Sequence, residues 1–294
     1  MALKPTNHIR IKPIPICDRR SVTVRLYARP STKAIVKKPA NLALSHKVSR
    51  PPQPRNLPIK QIPATIGGIP VNHKILNINA LKGKGKGRVL VIVGNGPSHK
   101  MADLPRLKNH PLIDIMSINK PDDRLWPTTY WFFCDNSQLR RHQHLWESYK
   151  GIILNTPSIR EQKENTYKIK SIGNIGFSLD MVTGLYIGRS SVYAGMQLAV
   201  WMEYDHTYIF GCDMAAVDGK LYAWGTNPDV KDSERLKRFI GEAKSYEYAG
   251  QHLPASTRAR FTFCSEFNQW PFIQKFNQLD HISAIDKILA YANI

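Results

Sequence analysis

The chain reads as an α/β protein. The expected fold is a Rossmann-like, mostly parallel sheet with helices on both faces, preceded by a basic, largely extended N-terminal arm. Three observations predict this. Composition changes abruptly near residue 88, short apolar runs alternate with helical stretches beyond it, and the first of those runs ends in a glycine turn, Gly94-Asn95-Gly96-Pro97-Ser98.

The first 88 residues hold 19 Lys/Arg and one acid, Asp18, so +18 of the chain's net charge of +20 lies there. Proline recurs through the same stretch, from Pro5 to Pro70, and Trp and Phe are missing from it. Such a segment buries too little apolar surface to offset the entropy of ordering it, so residues 1–87 are expected to be extended or disordered. The runs 22–26 and 64–69 are the places for an isolated strand or hairpin. A basic, proline-broken arm binds polyanions by releasing their counterions, which makes nucleic acid the first candidate partner; a solvated tail is the plain alternative. It also resembles an organellar transit sequence, but is long for one and has no clean amphipathic helix. A long arm also suits a homo-oligomer. Residues 88–294 are nearly neutral and numerous enough for one compact domain with its own core.

In that domain, residues 89–93 are apolar and mostly β-branched, as in a buried parallel strand. A short helix is expected over 100–109, started by Pro97. Strands follow over 113–119 and 130–134, a helix over 139–149, a strand over 151–155 and an edge strand within 167–172. The strongest helix signal is 191–203, with Ser190 or Ser191 as its cap. A strand over 207–211, a helix of mixed charge over 233–248, a last strand over 260–264 and a closing helix over 282–291 complete the pattern. Strands alternating with helices give a parallel sheet covered on both faces.

No run is long and apolar enough to span a membrane, and no secretory apolar segment is present. Cys17, Cys134, Cys212 and Cys264 are too scattered for a zinc site, and reduced thiols in the cytoplasm are the expectation. No metal ligand set and no tightly bound cofactor are expected.

Ligands of open α/β sheets lie beyond the carboxyl ends of the strands. Gly94 and Gly96 permit a sharp turn and would leave bare backbone N–H groups facing a nucleotide phosphate. The turn is not the dinucleotide fingerprint, because Lys100 replaces its third glycine. The same rule gathers Asn95, Ser98, Asn119, Asp135, Asn136, Ser190, Ser191 and Asp213. Each has a plain alternative as a turn or cap residue; their shared edge is the stronger argument.

Three blocks resemble the bacterial sialyltransferases that use CMP-sialic acid: Val91 to Ser98, Arg189 to Val200, and Tyr208 to Met214 with Asp218 to Ala223 after it. The stretch Tyr246 to His252 is similar to the one that carries their catalytic histidine. Uncharacterised phage and bacterial proteins and archaeal pterin pyrophosphokinases share the glycine turn. The resemblance covers residues 88–270. It implies metal-independent transfer from a nucleotide sugar of CMP type. In that case Gly94, Asn95, Gly96 and Ser98 touch the nucleotide, and Asn119 and Asn136 the base, ribose or sugar. Ser190 and Ser191 open a helix toward the donor, and Gly211 and Asp213 hold the ribose side. Tyr222 donates to the leaving phosphate, and His252 takes the acceptor proton.

Two departures stand out. The first of the family's two tyrosines at the leaving phosphate falls on Ala215, and His252 is reached only through a one-residue gap and is expected in a loop before Pro254. Two further readings therefore stand beside a glycosyltransferase acting on an acceptor such as nucleic acid. One is a retired nucleotide-binding fold in a virion or nucleic-acid assembly. The other is an ATP-dependent pyrophosphokinase, for which Asp213 and Asp218 are the only metal-binding pair near the turn.

Overall fold

The computed structural model describes residues 76–161, 163–225 and 231–292, together with a short antiparallel hairpin that pairs Thr65–Ile66 with Ile69–Pro70. That hairpin falls within the expected 64–69 run; the rest of the basic arm up to residue 75, including 22–26, lies outside the described residues.

Eight strands form one sheet: β1 (Val89–Val93), β2 (Ile113–Ile118), β3 (Tyr130–Phe133), β4 (Ile152–Asn155), β5 (Thr166–Lys168), β6 (His206–Phe210), β7 (Phe261–Phe263) and β8 (Asn277–Gln278). Their spatial order is β8-β7-β6-β1-β2-β3-β4-β5, and every neighbouring pair is parallel. The chain runs outward from β1 to β5, returns to β6 on the other side of β1, and runs outward again. The order therefore reverses between β1 and β6, where a crevice opens in doubly wound sheets.

The helices are α1 (Asn136–Arg141), α2 (Gln143–Ser148), α3 (Ser191–Trp201), α4 (Asp232–His252), α5 (Ala255–Arg258) and α6 (His281–Ala292). Alternation along β1 shows the two faces. Leu90 and Ile92 pack with Met196 and Leu198 of α3, whereas Val89, Val91 and Val93 pack with Ile285 and Ile288 of α6. A third cluster sets Trp131 and Phe133 of β3 against Leu139 and Tyr149. Helix α3 is buried almost all round, as its apolar sequence requires. Its one long polar side chain, Gln197, accepts from Ser178 N and Tyr186 N at 3.0 Å each and donates to Tyr186 O at 2.7 Å, so its burial leaves both ends satisfied.

Several expectations are corrected. The 100–109 helix is instead two 3-10 turns, Pro97–Lys100 and Leu104–Leu107, because Pro105 lacks the N–H that a continuous α-helix needs. The 139–149 helix starts earlier, where Asp135 caps it by accepting from Ser137 N at 2.7 Å, and breaks at His142. Neither serine caps α3: Ser190 occupies the cap position, but its hydroxyl pairs with Tyr246 Oη at 3.0 Å. Strand β8 lies beyond the strand expected to be last. Helix α4 continues to His252 and stops before Pro254, whose ring disfavours the helical conformation at Leu253.

Residues 76–87, assigned to the arm by composition, pack on the domain. Ile78 and Leu81 are buried, and Trp201 Nε1 donates to Ile78 O at 3.3 Å. Gly85 N donates to Met202 O at 2.7 Å. The segment thereby supplies partners at the carboxyl end of α3, where a helix leaves backbone groups unpaired.

Two buried carboxylates brace the sheet. Asp114 accepts from Arg88 Nε at 2.7 Å, Arg88 Nη2 at 2.8 Å and Tyr204 Oη at 2.7 Å. Asp122, beyond β2, faces His99 Nε2 at 3.2 Å, Lys100 Nζ at 3.0 Å and Arg124 Nη2 at 2.7 Å. Burial alone would raise the Asp122 pKa. The hydrogen bonds from His99, Arg124 and Lys100 outweigh it and hold the carboxyl well below the usual range. Because the folded value lies below the unfolded one, this stabilisation is present above about pH 4 and is lost as the pH falls below it. Asp122→Asn should cost about 3 kcal/mol in urea unfolding at pH 7. The gap from wild type should close on acidification. A variant equally destabilised at pH 3 and pH 7 would contradict the ionic account.

Candidate functional site

The crevice is built by the loops that follow β1 and β6. Gly94 N donates to Phe210 O and Gly96 N to Gly211 O, each at 2.8 Å. This contact is what requires glycine. A Cβ on Gly94 would come within 2.6 Å of Gly211 O, and one on Gly96 within 2.5 Å of Asp213 Oδ2. Gly211 itself has φ +65, with Gly94 O 2.7 Å from where its Cβ would stand. Asp213, only 1% exposed, closes the clasp. It accepts from Ser98 N at 2.9 Å, from Ser98 Oγ, and from Ser265 Oγ at 2.5 Å.

The turn is therefore not the open nest of N–H groups expected from its glycines. The amides of Gly94, Gly96 and Ser98 are spent on the neighbouring loop. Ser98 is buried against Asp213, and the two hold the loops rather than offering free donors. Asn95 is also engaged: its Nδ2 donates to Lys120 O at 2.8 Å, and its carbonyl accepts from Ala223 N at 3.0 Å.

Over the clasp lies a cavity of about 250 Å³. Of the residues anticipated for the site, Asn95, Gly96, Asn119, Ser190, Ser191, Gly211, Asp213 and Tyr222 line it. Asn119 sits at φ 55, a conformation asparagine tolerates, and its Oδ1 accepts from Ser191 Oγ at 3.4 Å. This places the start of α3 against the end of β2. Gly94 and Ser98 lie beneath the cavity rather than in its wall. Asn136 is turned away, with Nδ2 donating to Ser158 O at 3.3 Å; its neighbours Asp135, Ser137 and Gln138 line the wall instead. Ala215 lines a separate, more open depression with Trp270 and Phe267.

His252 is not in the cavity wall. It is exposed in the last turn of α4, stacked on Tyr248 at 4.0 Å, with Nδ1 2.9 Å from Tyr248 O. Ten residues of helix separate it from Glu242, which is in the wall, a rise of about 15 Å.

Four arginines from three parts of the chain also line the cavity: Arg141, Arg189, Arg235 and Arg238. Arg235 lies over the rings of Phe239 at 4.7 Å and Tyr222 at 5.5 Å. Its Nη1 is 2.7 Å from Glu242 Oε1. Even so, Arg235 Nε and Glu242 Oε1 are buried without a formed hydrogen bond. Close charges with poor angles are attracted but incompletely satisfied. Burial pushes the Glu242 carboxyl up to about 7 against the pull of Arg235. Tyr222 stacks on Trp224 at 5.0 Å, and Lys120 Nζ lies 5.3 Å over that indole.

Arg235, Arg238 and Glu242 escaped the sequence reading because α4 registers only as a helix of mixed charge. A signal was present. Arg235, Phe239, Glu242 and Tyr246 recur at helical spacing, so two charged residues sit on the stripe that faces the core.

The clasp predicts that Gly96→Ala will lose about 1–3 kcal/mol of stability, because the methyl has only backbone and the Asp213 carboxylate to displace. An unchanged urea midpoint would show that the two loops do not meet this closely.

No protein-family profile matches the chain, and no curated protein matches it significantly. Solved structures similar to it include the sialyltransferase CstII from Campylobacter jejuni in complex with the substrate analogue cytidine-5'-monophosphate. That comparison has 15% identity, covers 66% of this chain and 86% of the other, and has a TM-score of 0.39. A second is the sialyltransferase CST-II with a trisaccharide acceptor and CMP, at 14% identity, 66% and 87% coverage and a TM-score of 0.38.

Proposed function

We propose that the chain is a transferase that binds a nucleotide-activated donor in the β1/β6 crevice and moves its glycosyl group to an acceptor hydroxyl. The observation that carries this reading is the cavity itself. At the reversal of strand order, four arginines share a wall with Asn119, Ser190, Ser191 and Tyr222. Guanidinium groups suit phosphate oxygens, and the positive end of α3 adds to their field. Asn119 and the serines supply hydrogen-bonding groups for ribose, base or sugar. Tyr222 would donate its hydroxyl to a leaving phosphate. Gly96, Ser98, Gly211 and Asp213 act by holding the crevice walls together. The CMP-type donor follows from the resemblance of the three sequence blocks.

The +18 arm supports a polyanionic acceptor such as nucleic acid, attracted by counterion release. A retired nucleotide-binding protein of an assembly is the second reading, favoured by Ala215 in place of a family tyrosine.

The full chain should gain several degrees in thermal midpoint with saturating CMP or a CMP-sugar, by mass action. Arg238→Ala should weaken that binding about tenfold or more. A midpoint that no nucleotide moves would overturn the donor assignment. A rise only with ATP and magnesium would replace it with phosphoryl transfer.

A further inference from the structure

We propose that Glu242 is the general base of this transferase, uncovered when the donor phosphate draws Arg235 away. The inference rests on the donor-binding reading above. Transfer to a hydroxyl requires a group that takes one proton at the reacting centre. Among the described residues no histidine lines the cavity, and the carboxylates that do are Asp135, Asp213 and Glu242. Asp213 is committed to Ser98 and Ser265, and Asp135 caps α1. Glu242 remains, 2% exposed, with Oε1 lacking a formed hydrogen bond.

Arg235 explains how such a buried acid is kept ready. Its guanidinium shields Glu242 Oε1 at 2.7 Å while its own Nε has no acceptor. A donor phosphate supplies that acceptor. As Arg235 turns to it, Oε1 opens to the acceptor hydroxyl. The acceptor oxygen then bonds to the donor's anomeric carbon. The bond from that carbon to the phosphate oxygen breaks, and its electron pair leaves with the nucleotide. The hydroxyl proton goes to Glu242 Oε1.

The groups that face Glu242 are Arg235, Arg238 and Tyr246 of α4 and Cys212 beyond β6, with Arg189, Asp213 and Tyr222 elsewhere in the cavity wall. Burial pushes the carboxyl up to about 7 while Arg235 pulls it down. With Arg235 drawn to the phosphate less opposes burial, so the active, deprotonated form of the donor complex grows as the pH rises above that value.

The test compares full-length wild type, Glu242→Gln and His252→Ala. It measures CMP release from CMP-sialic acid and other CMP-sugars in the presence of DNA or RNA as the acceptor, alongside calorimetric binding of CMP. Glu242→Gln should lose about 10²- to 10⁴-fold in turnover. It should keep CMP affinity within about threefold, and its residual rate should lose the rise with pH that wild type shows above neutrality. His252→Ala should match wild type. Turnover of Glu242→Gln within threefold of wild type overturns the base assignment while leaving the donor reading intact. Loss of CMP binding in that variant equal to its loss of turnover shows that Glu242 only positions Arg235. A wild type that neither binds CMP nor turns over these sugars overturns both readings.

Discussion

The carboxylate of Asp213 is the constraint on which the rest of this domain turns. It lies where the strand order reverses, and it ties the loop after β1 to the loop after β6 and to Ser265 beyond β7. In a parallel sheet these loops would otherwise diverge as their helices leave for opposite faces. The backbone bonds from Gly94 and Gly96 draw them together, and the carboxylate accepts the donors left over. The glycines are the steric counterpart of this bond, because no side chain fits between the two loops. The cavity floor is thus fixed before any ligand arrives, which is the preorganisation a binding site needs.

Above that floor the polar groups are balanced less completely. Arg235 and Glu242 face each other from positions two turns apart on α4, with a buried polar atom on each side lacking a geometrically sound partner. Elsewhere two buried carboxylates are well satisfied: Asp114 and Asp122 each gather at least three donor atoms. Neutral buried atoms without partners, such as Ser117 Oγ and both amide atoms of Asn155, occur away from the cavity, but the incompletely paired charges stand in its wall, where an incoming anion would meet them. Functional sites are where such local deficits are tolerated.

Much of the fold was legible in the sequence. Buried parallel strands announce themselves as β-branched runs, and the strand–helix alternation implies crossovers of one kind. The glycine turn does lie at the crevice between β1 and β6, but for a different physical reason. Its amides bond to Gly211 and Phe210, and its glycines admit a neighbouring backbone rather than a phosphate. His252 was misplaced because a histidine before a proline reads as a loop residue, whereas α4 extends through it and carries it to the far end of the helix. Glu242 and the arginines were passed over because surface charge and cavity charge look alike until the helix face is known. Asn136 does not line the cavity: at the start of a helix, adjacent residues point about 100° apart, and Asp135 and Ser137 line the wall on either side of it.

The central claim is that the β1/β6 cavity, with its arginines, receives a nucleotide. The most direct measurement is a CMP titration of the isotope-labelled full chain followed by NMR. Saturable shifts are expected at the amides of Asn95, Asn119, Ser191 and Tyr222, together with the Arg235 Nε–H signal. Shifts centred on Tyr248 and His252, or none at millimolar CMP, would contradict it.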